Sequence, residues 1–328
     1  MMNWKRWTAL AVVVGLLIIS TITNLAVGFA NLDLEEYTGS EFGEEVIQPG
    51  TSGKIVVLNL DGVIQDLGAQ SIFDTGMYDH QAFLTQIDNA SNDDEVDGII
   101  IRVNTPGGGV LESAEIYEKI VEAKEEHDKT VYISMGGMAA SGGYYIAAPA
   151  DKIVANPNTI TGSIGVIMES INFAELAENY GVKFNTIKSG PYKDIMSPYK
   201  EMTDEEREIL QSFVDESYDE FVRIISEGRG MDEETVRSVG DGRIYSGKQA
   251  LENGLVDELG SLDDTIELLS EDLGGGTYQV VSYNYSMGLY NFLGLTAHKM
   301  FGQDPEITML QKLIFENRAP SLKYLYAE

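Results

Sequence analysis

The sequence contains no cysteine, only three histidines and few basic residues. Without cysteine the chain has no disulfide, thiolate zinc site, iron–sulfur cluster or thiol nucleophile. Its 22 Lys and Arg residues face 53 Asp and Glu residues, a formal charge of −31. That charge repels nucleic-acid phosphates, so we expect no nucleic-acid partner. We also expect no metal or cofactor. The apolar fraction of 43% is ordinary for a folded protein and too high for a disordered acidic chain.

Acidic residues are absent from the first 30 residues, where the only charges are Lys5 and Arg6. The stretch from Thr8 to Ala30 holds 23 uncharged, largely aliphatic residues, and about 20 such residues can cross a bilayer. Trp4 and Trp7 are suited to the membrane interface, and the two bases favour a cytoplasmic N-terminus. We therefore expect an N-terminal transmembrane helix at residues 1–30, with the rest of the chain outside the cytoplasm.

A cleaved signal peptide is the alternative for this segment, because Gly28-Phe29-Ala30 is similar to a small-x-small cleavage site. The apolar run is longer than the signal-peptide core of about 7 to 15 residues, which favours a retained anchor. Residues 31–53 are acidic and contain Gly, Pro and Ser, so we expect a linker there. The remainder is expected to form a main domain at 54–272 and a C-terminal segment at 273–328, for oligomerisation or as a tail.

Apolar β-branched runs alternate with helical patterns in the main domain, which is typical of an α/β fold with buried parallel strands. The predicted strands are 55–60, 98–103, 131–134, 153–155, 164–168 and 183–187. The predicted helices are 80–90, 110–127 and 172–180. Thr203 and Glu206 form a capping box that predicts a long helix. Gly228 or Gly230 should end that helix, and Ser246 should cap another short one.

Two glycine-rich passages follow predicted strands. The first is Asn104-Thr105-Pro106-Gly107-Gly108-Gly109, which precedes a predicted helix. Its glycines let the backbone turn and present amide N–H groups where negative charge is stabilised. The passage lacks the Gly-Lys-Ser/Thr ending of a phosphate loop. An oxyanion hole fits better, and a turn that merely requires glycine is an equal alternative.

The second passage, MGGMAASGGYY, places Ser141 among small residues near the start of a predicted helix. Its hydroxyl could act as a nucleophile, with the following amide of Gly142 stabilising the oxyanion. The alternative is that Ser141 only caps the helix. The residues by themselves favour neither interpretation.

A nucleophilic serine needs a base. His80, His127 and His298 lie outside glycine-rich or apolar settings, so we expect solvated surface positions for all three. A lysine is the other candidate, because burial can lower a lysine pKa by up to 3 to 5 units from about 10.4. Lys188 and Lys193 lie together in a loop, KSGPYKDIMSP, after an apolar run. A surface charge is the usual role of either lysine.

The chain resembles the signal peptide peptidase A family in its short, single-domain form, over about residues 54–260. The matching passages, in order, are NTPGGGV, GGMAASGGYYIA, TGSIGVIMES, KSGPYKDIMSP and DGRIYSGKQALENGLVDELG. Five ordered motifs make the resemblance specific, whereas one glycine-rich run would be weak. The resemblance implies a serine endopeptidase with the superhelical α/β fold of the Clp protease and crotonase superfamily.

The resemblance also implies a role for individual residues. It places the nucleophile at Ser141 and the general base at Lys193, and leaves Lys188 as the less favoured candidate for the base. Ser163 would hydrogen-bond the lysine amine and orient it. The amides of Gly108 and Gly142 would form the oxyanion hole.

Finally, the resemblance implies a membrane-bound homo-oligomer, a ring or dome, whose serine and lysine come from one subunit or from two. Its substrates would be cleaved signal peptides and other unfolded apolar peptides at the outer face of the plasma membrane. The alternatives are a crotonase-like acyl-CoA enzyme, which lacks the serine nucleophile, and a non-catalytic membrane scaffold. The apolar tail near Ala327 is also a candidate for self-cleavage.

Overall fold

The computed structural model describes residues 42–66, 78–285 and 322–326. The chain divides into two units, one comprising residues 1–43 with 284–286 and the other comprising Glu44–Tyr283 with Met287–Glu328. The second unit holds most of the sheet and every residue discussed as part of a site.

Strands and helices alternate along the described residues. The strands are β1 Phe42–Gln48, β2 Lys54–Asp61, β3 Val96–Thr105, β4 Gly107–Gly109, β5 Thr130–Ala140, β6 Lys152–Ala155, β7 Ile160–Gly162, β8 Ile244–Ser246, β9 Glu258–Leu259, β10 Gln279–Tyr285 and β11 Lys323–Leu325. The helices are α1 His80–Asn92, α2 Val110–Glu125, α3 Gly142–Ala147, α4 Ala174–Asn179, α5 Asp204–Arg229, α6 Glu233–Val239, α7 Gly247–Glu252 and α8 Leu262–Asp272.

The main sheet has the strand order β1-β10-β2-β3-β5-β6-β9, with β7 joined to β5 and β8 joined to β7. The pairs from β10 through β9 are parallel, and β7 and β8 are antiparallel. One face packs on α8, where Ile100 contacts a cluster that includes Ile266 and Leu269. Successive strand residues alternate between faces, so Ile99 and Ile101 are buried on the other side. The predicted α/β fold with buried parallel strands is confirmed.

Two of the predicted strands are wrong. Residues 164–168 form one isolated bridge, at Ile167, because the chain turns away from the sheet at Ser163, where φ is 49°. Residues 183–187 form no strand, since no segment in the described part of the chain pairs with them, and the Ile187 side chain is fully exposed. Apolar composition alone did not distinguish these runs from true strands.

The helix termini follow the sequence signals closely. The capping box of Thr203 and Glu206 starts α5, and Gly230 ends it in the left-handed conformation at φ 62°. Ser246 likewise caps α7 through a capping box. Within the segment expected to be a linker, residues 42–48 form β1. The expected anchor at 1–30 lies outside the described residues, among which no helix is long and apolar enough to cross a bilayer.

Candidate active site

Ser141 occupies the sharp turn between β5 and α3. Its backbone has φ 54° and ψ −114°, a region that costs a non-glycine residue about 1 to 3 kcal/mol. The side chain is 1% exposed, makes no capping bond to the helix, and its Oγ has no hydrogen-bond partner among the described residues. The alternative that Ser141 serves only as a helix cap is therefore wrong. Backbone strain combined with an unpaired buried hydroxyl is typical of a functional position.

Ser163 lies beside Ser141 on the adjacent strand end. The parallel register pairs Ala140 with Gly162, and the Ser141 amide donates to the Gly162 carbonyl at 2.8 Å. Ser163 also has a positive φ, is 8% exposed, and donates its amide to the Arg243 carbonyl at 2.8 Å. Two serines in strained conformations thus follow two paired strands at the same level. Ser163 borders a cavity of about 540 Å³.

Gly108 and Gly142 bring backbone amides from the two glycine-rich passages to one place. A Cβ built on Gly142 would lie 3.1 Å from the Gly108 nitrogen and 2.7 Å from Ser113 Oγ, so a larger residue does not fit without a shift. The Gly142 amide is the first of α3 and has no acceptor among the described residues, as first-turn amides have none within their helix. Both amides are therefore positioned close to Ser141.

The C-terminal strand β11 lies against β4 as an extended peptide. The pairing is antiparallel, with Tyr324 opposite Gly108. On the other edge of β11, Lys323 exchanges two backbone hydrogen bonds with Ile167, each 3.0 Å long. The groove beside Ser141 thus holds a peptide by main-chain bonds on both sides, which is the strand-addition mode of peptide recognition.

The carbonyl of Tyr324 faces the Gly108 amide and lies close to the Gly142 nitrogen. The hydrogen bonds on either side of this pair run from the Tyr326 amide to the Pro106 carbonyl at 2.8 Å and from the Val110 amide to the Leu322 carbonyl at 3.4 Å. Because bonded pairs alternate along an antiparallel ladder, Gly108 and Tyr324 belong to the same bonded set. A Cβ built on Gly107 would lie 2.1 Å from the Tyr324 oxygen and 2.7 Å from the Gly142 nitrogen. The Tyr324 oxygen and the Gly142 nitrogen therefore border the same small space beside Gly107.

The side chain of Tyr324 fills an aromatic pocket. Its ring stacks on Tyr145 at a centroid distance of 4.8 Å and contacts Phe221 at 4.8 Å. Its hydroxyl donates to the Ser217 carbonyl at 2.9 Å, and burial raises the pKa of Tyr324. No local sequence pattern predicts this pocket, because its walls come from α3 and α5, which are far apart in the sequence.

The two candidate lysines differ in their surroundings. Lys188 binds the Asp194 carboxylate at 2.7 Å, and Lys200 binds the same carboxylate at 2.9 Å. Hydrogen bonds from these two lysines, Lys188 first, lower the pKa of Asp194 to about 2. Lys193 is exposed, and its side chain has no hydrogen bond or ion pair among the described residues. The single chain therefore does not bring Lys193 into hydrogen-bond contact with Ser141.

The expectation of a solvated surface position is wrong for His80. This residue is 2% exposed because α1 packs against α2. One ring nitrogen lies 2.7 Å from the Tyr78 hydroxyl and the other 2.7 Å from the Glu115 carboxylate. Both ring nitrogens therefore contact groups other than Ser141. His127 is half-buried, and His298 lies outside the described residues. No cluster that could hold a metal ion occurs in the described part of the chain.

Comparison with known proteins places the chain in a family. The family model for peptidase family S49 matches residues 123–274, and the family model for Clp protease matches residues 70–161. An Enterococcus faecium protein named as a signal peptide peptidase SppA is 40% identical over 346 residues, which cover 99% of both chains. The chain belongs to peptidase family S49.

Other relatives of this S49 peptidase are also named as proteases. One, from Methanocaldococcus jannaschii, is 36% identical over 237 residues, which cover 71% of this chain and 76% of that protein. Protease 4 of Salmonella typhi is 35% identical over 221 residues, which cover 67% of this chain and 35% of that protein. The chain is a serine endopeptidase, and the resemblance to the signal peptide peptidase A family is confirmed. The alternative functions, a crotonase-like acyl-CoA enzyme and a non-catalytic scaffold, are therefore not retained.

Proposed function

We propose that this S49 peptidase cleaves peptide bonds with a Ser/Lys dyad, in which Ser141 is the nucleophile and Lys193 the general base. Ser163 orients the lysine amine, and the amides of Gly108 and Gly142 bind the oxyanion. The observation that carries the proposal is the setting of Ser141: a buried, unpaired hydroxyl on a strained backbone, directly before an amide with no acceptor among the described residues.

The mechanism assigns each proton transfer to the lysine. Neutral Lys193 takes the proton of Ser141 as Oγ bonds to the carbonyl carbon, and the two glycine amides stabilise the resulting oxyanion. The C–N bond then breaks, and the lysine returns its proton to the leaving amine. Water, activated by the same lysine, hydrolyses the acyl enzyme. Each oxyanion donor is worth about 10²- to 10³-fold in rate. The Tyr324 carbonyl, which lies opposite Gly108 and close to the Gly142 nitrogen, supports this arrangement.

A homo-oligomer would join the two halves of the dyad. Ser141 is buried, whereas Lys193 is exposed and unpaired in the described residues. Large apolar side chains are exposed in the segment that precedes this lysine, namely Ile171, Phe173, Leu176, Val182, Phe184 and Ile187. Clustered exposure of this kind marks interaction surfaces. We therefore place the lysine of one subunit at the serine of its neighbour, where burial disfavours an ammonium.

The substrates in this proposal are cleaved signal peptides and other unfolded apolar peptides. Strand addition along β4 accepts extended chains and excludes folded ones, and the pocket around Tyr324 accepts a large apolar side chain. The uncharged run from Thr8 to Ala30 supports a single-pass anchor that holds the peptidase at the outer face of the plasma membrane. Deleting residues 1–30 should move the protein from the membrane fraction to the soluble one.

The experiment compares Ser141→Ala, Lys193→Ala and Lys188→Ala, with an unfolded protein and a synthetic signal peptide as substrates. We expect the first two variants to lose cleavage and to unfold at the wild-type temperature. Lys188→Ala, the matched control from the same loop, should keep most of the activity. Proteolysis retained by Ser141→Ala would reject the mechanism. Activity that rises with pH through the alkaline range supports a lysine base, whereas a plateau set near 6.5 would indicate histidine.

A further inference from the structure

Ser113 is a fully buried residue of α2 whose hydroxyl lies between the two glycine-rich passages. Its Oγ donates to the Gly109 carbonyl at 2.8 Å. A Cβ built on Gly142 would lie 2.7 Å from the same Oγ, so the hydroxyl packs directly against the α-carbon of Gly142. One side chain therefore contacts both segments that carry the proposed oxyanion donors.

We propose that Ser113 is a positioning residue that sets the separation between the amides of Gly108 and Gly142. The inference rests on the oxyanion role given to these glycines in the proposed function. Gly109 follows one donor directly and is the N-cap of α2, where it provides no side-chain cap. The other donor begins α3. The Ser113 hydroxyl thus contacts the backbone next to both donors and fixes their positions relative to each other.

An oxyanion hole works only over a narrow range of donor–acceptor distances. The donors must lie about 2.7 to 3.1 Å from the oxygen in the transition state. Replacing Ser113 by alanine removes the bond to Gly109 and leaves a gap against Gly142, so the two amides are free to shift. Extended peptides bind through several ladder bonds with β4 and Ile167, and this change affects only the bond at Gly108. The loss should therefore fall on kcat rather than on KM.

Ser91 provides a matched control on α1. It is also buried in a helix, and its Oγ donates to the carbonyl four residues earlier, that of Ile87, at 2.7 Å. Ser91→Ala therefore removes the same kind of bond, but its hydroxyl contacts neither glycine-rich passage. Ser113→Thr is the conservative variant, because a threonine hydroxyl in a helix can bond the same carbonyl.

The test measures kcat, KM and the inhibition constant of a peptide aldehyde, whose hemiacetal oxygen occupies the oxyanion hole. For Ser113→Ala we expect kcat to fall about 10-fold, KM to stay within about twofold, and the aldehyde to bind about 10-fold more weakly. The fall in kcat is smaller than the about 10²- to 10³-fold fall expected when a whole oxyanion donor is lost. Ser91→Ala should leave all three unchanged, and Ser113→Thr should recover kcat.

Any one of four results would overturn the inference. These are equal kcat for Ser113→Ala and Ser91→Ala, a loss confined to KM, a folded Ser113→Thr as slow as Ser113→Ala, and an unchanged aldehyde inhibition constant beside a lower kcat. Failure of the proposed function gives a different result, which is cleavage by Ser141→Ala.

Discussion

Replacing Gly142 by alanine tests the oxyanion hole through geometry alone. The new methyl group would lie 2.7 Å from Ser113 Oγ and 3.1 Å from the Gly108 nitrogen, both well inside normal carbon contact distances. Overpacking of this kind costs about 1 to 3 kcal/mol, and alanine returns up to about 1 kcal/mol of helix propensity. The folded state should therefore survive with α3 displaced from β4.

The effect on activity should be far larger than the effect on stability. Displacing the Gly142 amide removes one oxyanion donor, which lowers kcat by about 10²- to 10³-fold, or about 2.7 to 4 kcal/mol in the barrier. The assay is steady-state cleavage of a fluorogenic peptide, with thermal unfolding measured on the same samples. Gly43→Ala is the matched control, because a Cβ there meets nothing within 4 Å. Wild-type kcat in folded Gly142→Ala would refute the reasoning.

Three further predictions concern the subunit interface, the lysine loop and the C-terminus. Mixing Ser141→Ala with Lys193→Ala under conditions that exchange subunits should restore activity at about one quarter of the sites, since each shared site needs one intact serine and one intact lysine from the neighbouring subunit. No recovery of activity would place the dyad within one chain. Two bound lysines lower the pKa of Asp194 to about 2 from its ordinary value of 3.8. Their ion pairs with Asp194 should therefore be intact above pH 3.8 and be lost as the pH falls toward 2. The loss would be measured as faster pepsin cutting within 188–200 than at higher pH. Active enzyme should cut its own chain after Tyr324, whose carbonyl faces the Gly108 amide. An unchanged intact mass after long incubation would contradict this.

Local signals predicted much of the fold. Continuous β-branched runs identified β2 and β3, because both strands are buried on both faces and need no alternation. A capping box located the start of α5, and Ser246, predicted as a helix cap, located the start of α7. The same signals failed at 183–187, because a strand requires a neighbour to pair with, and no window of sequence reveals whether one exists.

The candidate site was predictable only in part. The glycine-rich setting of Ser141 made it a candidate, since small residues permit the strained turn and the close approach of Gly108, and the family resemblance then selected it. Ser113 and the pocket around Tyr324 carried no such signal, because their roles depend on contacts between segments far apart in sequence. Burial of His80 was missed for the same reason: its partner Glu115 is on another helix.

Active-site labelling with a fluorophosphonate tests the central claim most directly, because the reagent reacts with an activated serine and places an oxygen in the oxyanion hole. Peptide mapping by mass spectrometry identifies the labelled residue. The account predicts one adduct per chain, on Ser141, that is absent from Ser141→Ala and greatly slowed in Lys193→Ala. An adduct on another serine, or labelling of Ser141 at the wild-type rate without Lys193, would contradict it.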